Sequence, residues 1–106
     1  MGQPRSRYQY TVEMTIPEEL EVEFNQWYEH EHVADMLNYP GVISVRRYRR
    51  IGDAARYLAV YEIDAPEVIL SPDYLQREVS EWTRRLAPSW IDIERGVWAR
   101  EITEND

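Results

Sequence analysis

Two histidines stand two residues apart in Trp27-Tyr28-Glu29-His30-Glu31-His32, where aromatic, acidic and imidazole groups crowd together. A neutral imidazole among aromatic rings takes or gives a proton near pH 7 without a cofactor. On a helix turning ~100° per residue, His30 and His32 point about 200° apart, so one pocket admits only one of them unless the helix breaks between them. His30 reads as the surface member. Glu31 falls on the apolar stripe, where a carboxylate is costly unless paired. It either orients a histidine as its acid partner or bonds one of the arginines downstream. Asp35 lies one turn beyond His32, either fixing its tautomer or standing in solvent. A metal centre built from His30, Glu31, His32 and Asp35 has the wrong geometry, and no second cluster supplies ligands, so no metal is expected.

Other chemistries are closed by composition. The chain has no cysteine, which excludes thiolate nucleophiles, disulfides and iron–sulfur clusters. All twelve basic residues are arginine, and without lysine there is no Schiff base. A net charge of −8 argues against a general nucleic-acid binder, because phosphates need a basic face. Arg46-Arg47-Tyr48-Arg49-Arg50 divides between two faces of a strand. Its arginines pair with acids, or one of them holds a carboxylate or phenolate substrate. Trp27, Tyr28, Tyr48, Tyr61, Trp82, Trp90 and Trp98 are most simply core, and their number also fits a pocket that stacks an aromatic ligand.

The elements that must position these groups follow from periodicity. Length and composition fit one domain over residues 1–106, with polar tails at 1–6 and 104–106. Tyr8, Tyr10, Val12, Met14 and Ile16 alternate with polar residues, the pattern of a half-buried first strand. Pro17, Glu18 and Glu19 open a helix that carries Leu20, Phe24, Trp27 and Tyr28 and stops at Asn38-Tyr39-Pro40-Gly41. A second strand over 42–51 places Ile43, Val45, Arg47, Arg49 and Ile51 on one face. It turns at Gly52-Asp53-Ala54 into a third strand over 56–63 with no clearly polar face. Residues 66–70 form a short helical turn. Ser71 caps a second helix that begins at Pro72, carries Leu75, Val79, Trp82 and Leu86, and ends at Pro88. The fourth strand, 90–102, sets Ile91, Ile93, Arg95 and Val97 against Asp92, Glu94, Gly96 and Trp98. Gly96 marks a bulge or a close approach to the backbone.

The order β-α-β-β-α-β is the α+β, ferredoxin-like arrangement: a four-stranded antiparallel sheet with helices on one face. The other face needs cover, and a homodimer packed sheet to sheet provides it. No apolar run is long enough to span a bilayer and none resembles a leader, so no membrane association and a cytoplasmic location are expected.

At this point the chain resembles the dimeric α/β-barrel superfamily, and within it the EthD-like group. The resemblance rests on Trp27-Tyr28-x-x-x-His32-x-x-Asp35, Pro40-Gly41-Val42 and Arg47-Tyr48. It implies an aromatic-lined pocket between sheet and helices and favours His32 as the working imidazole over a helix-end histidine bonding a carbonyl. On that footing the expected function is a cofactor-independent lyase, isomerase or cyclase acting on a small aromatic or polyketide-like metabolite. His32 acts as general acid/base with Glu31, and Tyr48 and an arginine stabilise the developing oxyanion. Trp27, Tyr28, Arg47, Tyr61, Trp82 and Trp98 bind the substrate. The alternatives are a non-catalytic protein that holds such a metabolite, and an oxygen-using monooxygenase of the same superfamily.

Overall fold

A computed structural model describes residues 6–52 and 54–101. Its sheet has the order β2-β3-β1-β4, with every neighbouring pair antiparallel. The strands are β1 (Tyr8–Thr15), β2 (Val42–Arg49), β3 (Arg56–Ile63) and β4 (Ile91–Ala99). The expected α+β ferredoxin-like class is the one found. Tyr10, Val12 and Met14 of β1 and Tyr57, Ala59, Tyr61 and Ile63 of β3 point to one face and are buried with Phe24, Trp27, Tyr28 and Met36. Two central strands with alternating large apolar groups therefore supply the floor of the core.

The first helical passage is not one regular helix. A 3-10 turn (Glu18–Leu20) leads into α1 (Glu21–Trp27), then a π-helical turn (Tyr28–His32), then α2 (Val33–Asn38). The second expected helix is likewise divided. After α3 (Glu67–Leu70), Ser71 caps only the four residues of α4 (Pro72–Leu75). Residues 76–80 leave the helix, and Ser80 starts α5 (Glu81–Leu86) by accepting the Thr83 N–H at 3.0 Å. Leu75, expected on the buried stripe, is exposed, because the break puts it out of phase with Leu86.

Two bulges also shift the strand faces from simple alternation. Between the pairs Val42–Ile63 and Ser44–Glu62, β2 carries one extra residue, so Val42 joins Val45, Arg47 and Arg49 on the inner face. In β4 the shift lies between the partners of Glu13 and Thr15, where Asp92 takes a φ of 50°. It turns Ile91 to the outer face, away from Ile93, Arg95 and Val97. Gly96 is the close approach rather than the bulge. The Trp98 indole lies over it, and a Cβ there would come within 2.9 Å of Trp98 Nε1.

Ser6 is tied to the end of β3 rather than free. Its N–H donates to Glu62 Oε2 at 2.6 Å and its hydroxyl to the Ile63 carbonyl. The rest of both expected tails, and Asp53 of the expected turn, lie outside the described residues.

Gly41, between α2 and β2, has a φ of +95°, and an added Cβ would overlap the Val68 side chain. Gly41→Ala therefore combines left-handed strain with overpacking. It should cost about 2–4 kcal/mol, read as a lower denaturant midpoint at unchanged slope.

Candidate active site

The inner face of the sheet and the helices enclose a cavity of about 650 Å³. Its floor comes from Tyr10, Val12, Met14 and Tyr61 of the central strands, with Arg95, Gly96 and Val97 of β4. Its walls come from Trp27, Tyr28 and His32 on one side, and from Ile69, Tyr74, Arg77, Val79, Thr83 and Trp90 on the other.

His32 reaches this cavity because of the π-helical turn. In a regular α-helix, residues five apart point about 140° away from each other, and their rings cannot meet. Here the Val33 N–H donates to the Tyr28 carbonyl, five residues back, and the widened turn brings His32 beside Trp27. The two rings stack at 4.4 Å with an interplanar angle of 16°. Tyr28 meets the imidazole edge-on at 5.1 Å and Tyr61 at 6.4 Å. The imidazole makes no hydrogen bond among the described residues, and it lines both this cavity and a cleft with Asp35 and Glu78. His30, on the other side of the turn, is exposed.

Burial pushes the His32 pKa down, the Arg77 charge adds to this, Glu31 pulls it partly back and Arg47 lowers it again; the result is about 4. At neutral pH the ring is therefore uncharged. The folded state binds this proton less readily than the unfolded chain, whose histidine titrates near 6.5. The stability that neutral His32 allows is complete above about pH 6.5 and drains away as pH falls towards 4, a loss on the order of 2–3 kcal/mol. Unfolding free energies measured across that window should fall with acid more steeply in the parent than in His32→Gln.

Glu31 does neither of the things expected of it. Its carboxylate accepts from Trp27 Nε1 at 3.2 Å, from Thr83 Oγ1 at 3.3 Å and from the Ser80 hydroxyl. It thus ties α5 to the tryptophan on which His32 stacks, and it does not touch the imidazole. Asp35 is exposed and makes no hydrogen bond to His32 among the described residues.

Tyr28 and Tyr61 share a buried hydrogen bond of 3.0 Å between their hydroxyls. Burial raises both pKa values, that of Tyr61 well above the usual range, so both remain protonated. Only one of the two protons lies between the oxygens, and the other is free to be donated.

The remaining expected site residues lie elsewhere. Tyr48 is half-exposed on the outer face of the sheet, paired across to Leu58. The bulge in β2 leaves it on the side away from the cavity. Trp98 is on that outer face too, donating to Thr11 Oγ1 at 2.8 Å. Trp82 faces α1, donating to Glu23 Oε2 at 3.0 Å. Arg47 lies between α1 and the sheet, its guanidinium 4.0 Å from the centre of the Tyr28 ring and bonded to Asn25 Oδ1 at 2.9 Å. It supports Tyr28 from behind. The cavity instead receives Tyr10, Tyr74, Arg77, Thr83, Trp90 and Arg95. The legible signal among these was Arg95, a lone cation in the apolar alternation Ile93-Arg95-Val97.

Solved structures share this fold. SnoaB, a cofactor-independent oxygenase from Streptomyces nogalater, superposes as a variant with a TM-score of 0.67 at 14% identity, covering 93% of this chain and 97% of its own. A dimeric ferredoxin-like protein from an uncultured marine organism gives 0.66 at 17% identity, covering 92% and 89%. The heme-degrader MhuD from Mycobacterium tuberculosis, with two hemes in its active site, gives 0.64 at 13%, covering 91% and 97%. At these identities the likeness speaks for the ferredoxin-like fold and not for an activity. No curated protein matches the sequence. No helix among the described residues is long and apolar enough to cross a membrane. Neither the family match nor these structures point to the EthD-like group in particular. Residues 7–91 match the family described as Domain of unknown function (DUF4286), and the chain belongs to that family.

Proposed function

We propose that this protein is a cofactor-independent enzyme, a lyase, isomerase or cyclase, that acts on a small aromatic or polyketide-like metabolite. The observation that carries the reading is an uncharged imidazole, His32, with no hydrogen-bond partner among the described residues, at the wall of a 650 Å³ aromatic cavity. Such a group takes a proton from a carbon or hydroxyl acid held over it and returns it at another position. Oxyanion stabilisation, first expected of Tyr48, passes to the free hydroxyl proton of the Tyr28–Tyr61 pair. Trp90, half-buried on the wall, supplies a stacking surface for a planar substrate. The kinship of Trp27-Tyr28-x-x-x-His32-x-x-Asp35 to the EthD-like motif, and a cytoplasmic location, belong to the same proposal.

The outer face carries half-exposed Tyr48 and Trp98 beside Leu58 and Val60. A second copy packed on this face would cover them, and the dimeric relative supports a homodimer.

Likeness to an oxygenase makes an oxygen-using reaction the second reading. Purified protein should be incubated with aromatic and poly-β-carbonyl compounds, with products followed by mass spectrometry and oxygen by an electrode. Rearranged or cyclised product without oxygen uptake supports the first reading, and stoichiometric uptake supports the second. Tight binding with no product from any bound compound would overturn both in favour of a binding protein.

A further inference from the structure

The chain carries a net charge of −8, yet the cavity wall includes two arginines, Arg77 and Arg95, and no aspartate or glutamate. The two come from unrelated elements, Arg77 from residues 76–80 between α4 and α5 and Arg95 from the inner face of β4. Neither forms an ion pair among the described residues, whereas Arg49, Arg56 and Arg85 each pair with a glutamate. Arg77 lies 3.7 Å from the centre of the Tyr74 ring and donates to the Tyr74 carbonyl at 3.0 Å, which fixes its stem and leaves donors unused. Arg95 sits opposite Val12 at the exposed rim of the cavity, in a stripe where its neighbours Ile93 and Val97 are apolar. Both charges are felt inside: Arg77 acts on His32 and Tyr74, and Arg95 on Tyr28 and Tyr74.

The other polar groups on the wall tell the same way. The Trp90 indole N–H is buried without a partner, and the Tyr28–Tyr61 pair has a proton to spare. Carboxylates do occur nearby, in Asp35 and Glu78, but they line the cleft on the other side of His32 and Arg77. The main cavity offers donors and positive charge against an aromatic floor.

We infer that the cavity selects an aromatic carboxylic acid, its ring packed against Trp90 over the aromatic floor and its carboxylate held by Arg77 and Arg95. This rests on the cavity being the substrate site and names the substrate class that the proposed function leaves open. Charge-assisted bonds to a carboxylate are strong, and the neutral isostere forgoes them.

The test uses 2-naphthoate and its neutral isostere 2-naphthamide, with binding followed by quenching of tryptophan fluorescence. The acid should bind about 10-fold or more tightly than the amide. Arg77→Gln and Arg95→Gln should each weaken the acid about 10-fold while leaving the amide within about threefold, and Arg→Lys at either position should restore part of the difference. Circular dichroism checks the fold of each variant, and the acid-to-amide ratio of the parent needs no variant at all. Equal affinity for acid and amide would overturn the inference and leave the proposed function standing. Failure of both to bind would overturn the two together.

Discussion

His32→Ala should lower turnover by about 10²- to 10⁴-fold, with most of the loss in kcat and little in KM. The imidazole is the one group on the cavity wall that is uncharged at neutral pH, free of hydrogen bonds among the described residues, and titrates within reach of solution conditions. Burial holds Tyr28, Tyr61 and Tyr74 protonated, and Glu31 is engaged by three donors. Stacking surfaces remain when the imidazole is removed, so substrate should still bind, and circular dichroism and the melting temperature should show an intact fold. Turnover equal to that of the parent would remove His32 from the chemistry. A parallel loss of substrate binding would move it from proton transfer to recognition. The variant separates these outcomes because the ring touches its neighbours only through ring contacts, stacked on Trp27 and edge-on to Tyr28 and Tyr61.

Trp27→Ala should be the most damaging single change to stability, costing about 3–5 kcal/mol and lowering the melting temperature by roughly 15–30 °C. Trp27 is 1% exposed, and its ring touches those of Phe24, Tyr28, His32 and Trp90. Its N–H is also shared between Glu31 and Thr83 Oγ1. Truncation opens a void, removes a donor from a half-buried carboxylate and takes away the surface against which the imidazole lies. Trp82→Ala is the control. Trp82 is half-buried with one hydrogen bond to Glu23, and its loss should cost well under half as much. Equal effects in chemical denaturation would show that Trp27 is an ordinary wall residue and not the keystone of this core.

The sequence carried the architecture where one local pattern dominated. Alternation marked β1 and β3, Pro17 and Gly41 bounded the first helical passage, and Ser71-Pro72 marked a true helix start. It failed where tertiary forces spend one extra residue. Nothing in Ile43 or Asp92 signals a bulge, because each continues the apolar or polar rhythm around it. Residues 76–80 include good helix formers, yet the chain leaves the helix there. Ser80 is worth more as the cap of α5 and as a donor to Glu31 than as a mid-helix residue. The site was half legible for the same reason. Trp27, Tyr28 and Tyr61 sit on strong periodic stripes and reach the cavity, whereas His32, singled out by the motif and not by a stripe, arrives there through the π-helical turn. The arginines did not follow suit. The run Arg46-Arg47-Tyr48-Arg49-Arg50 is conspicuous but is consumed by Asn25, Glu21 and the outer surface. The cations that meet the cavity are isolated ones whose meaning depends on what folds over them.

The widened turn at Tyr28–His32 works like an extra tooth in a gear. Closing it into an ordinary spiral with every residue kept would re-index everything beyond by roughly a hundred degrees. The imidazole would swing off its tryptophan, and Met36, now 2% exposed, would rotate with it out of the interior. Aim at the cavity and seating of the second half of the helix are set by the same surplus residue, so neither can drift without the other.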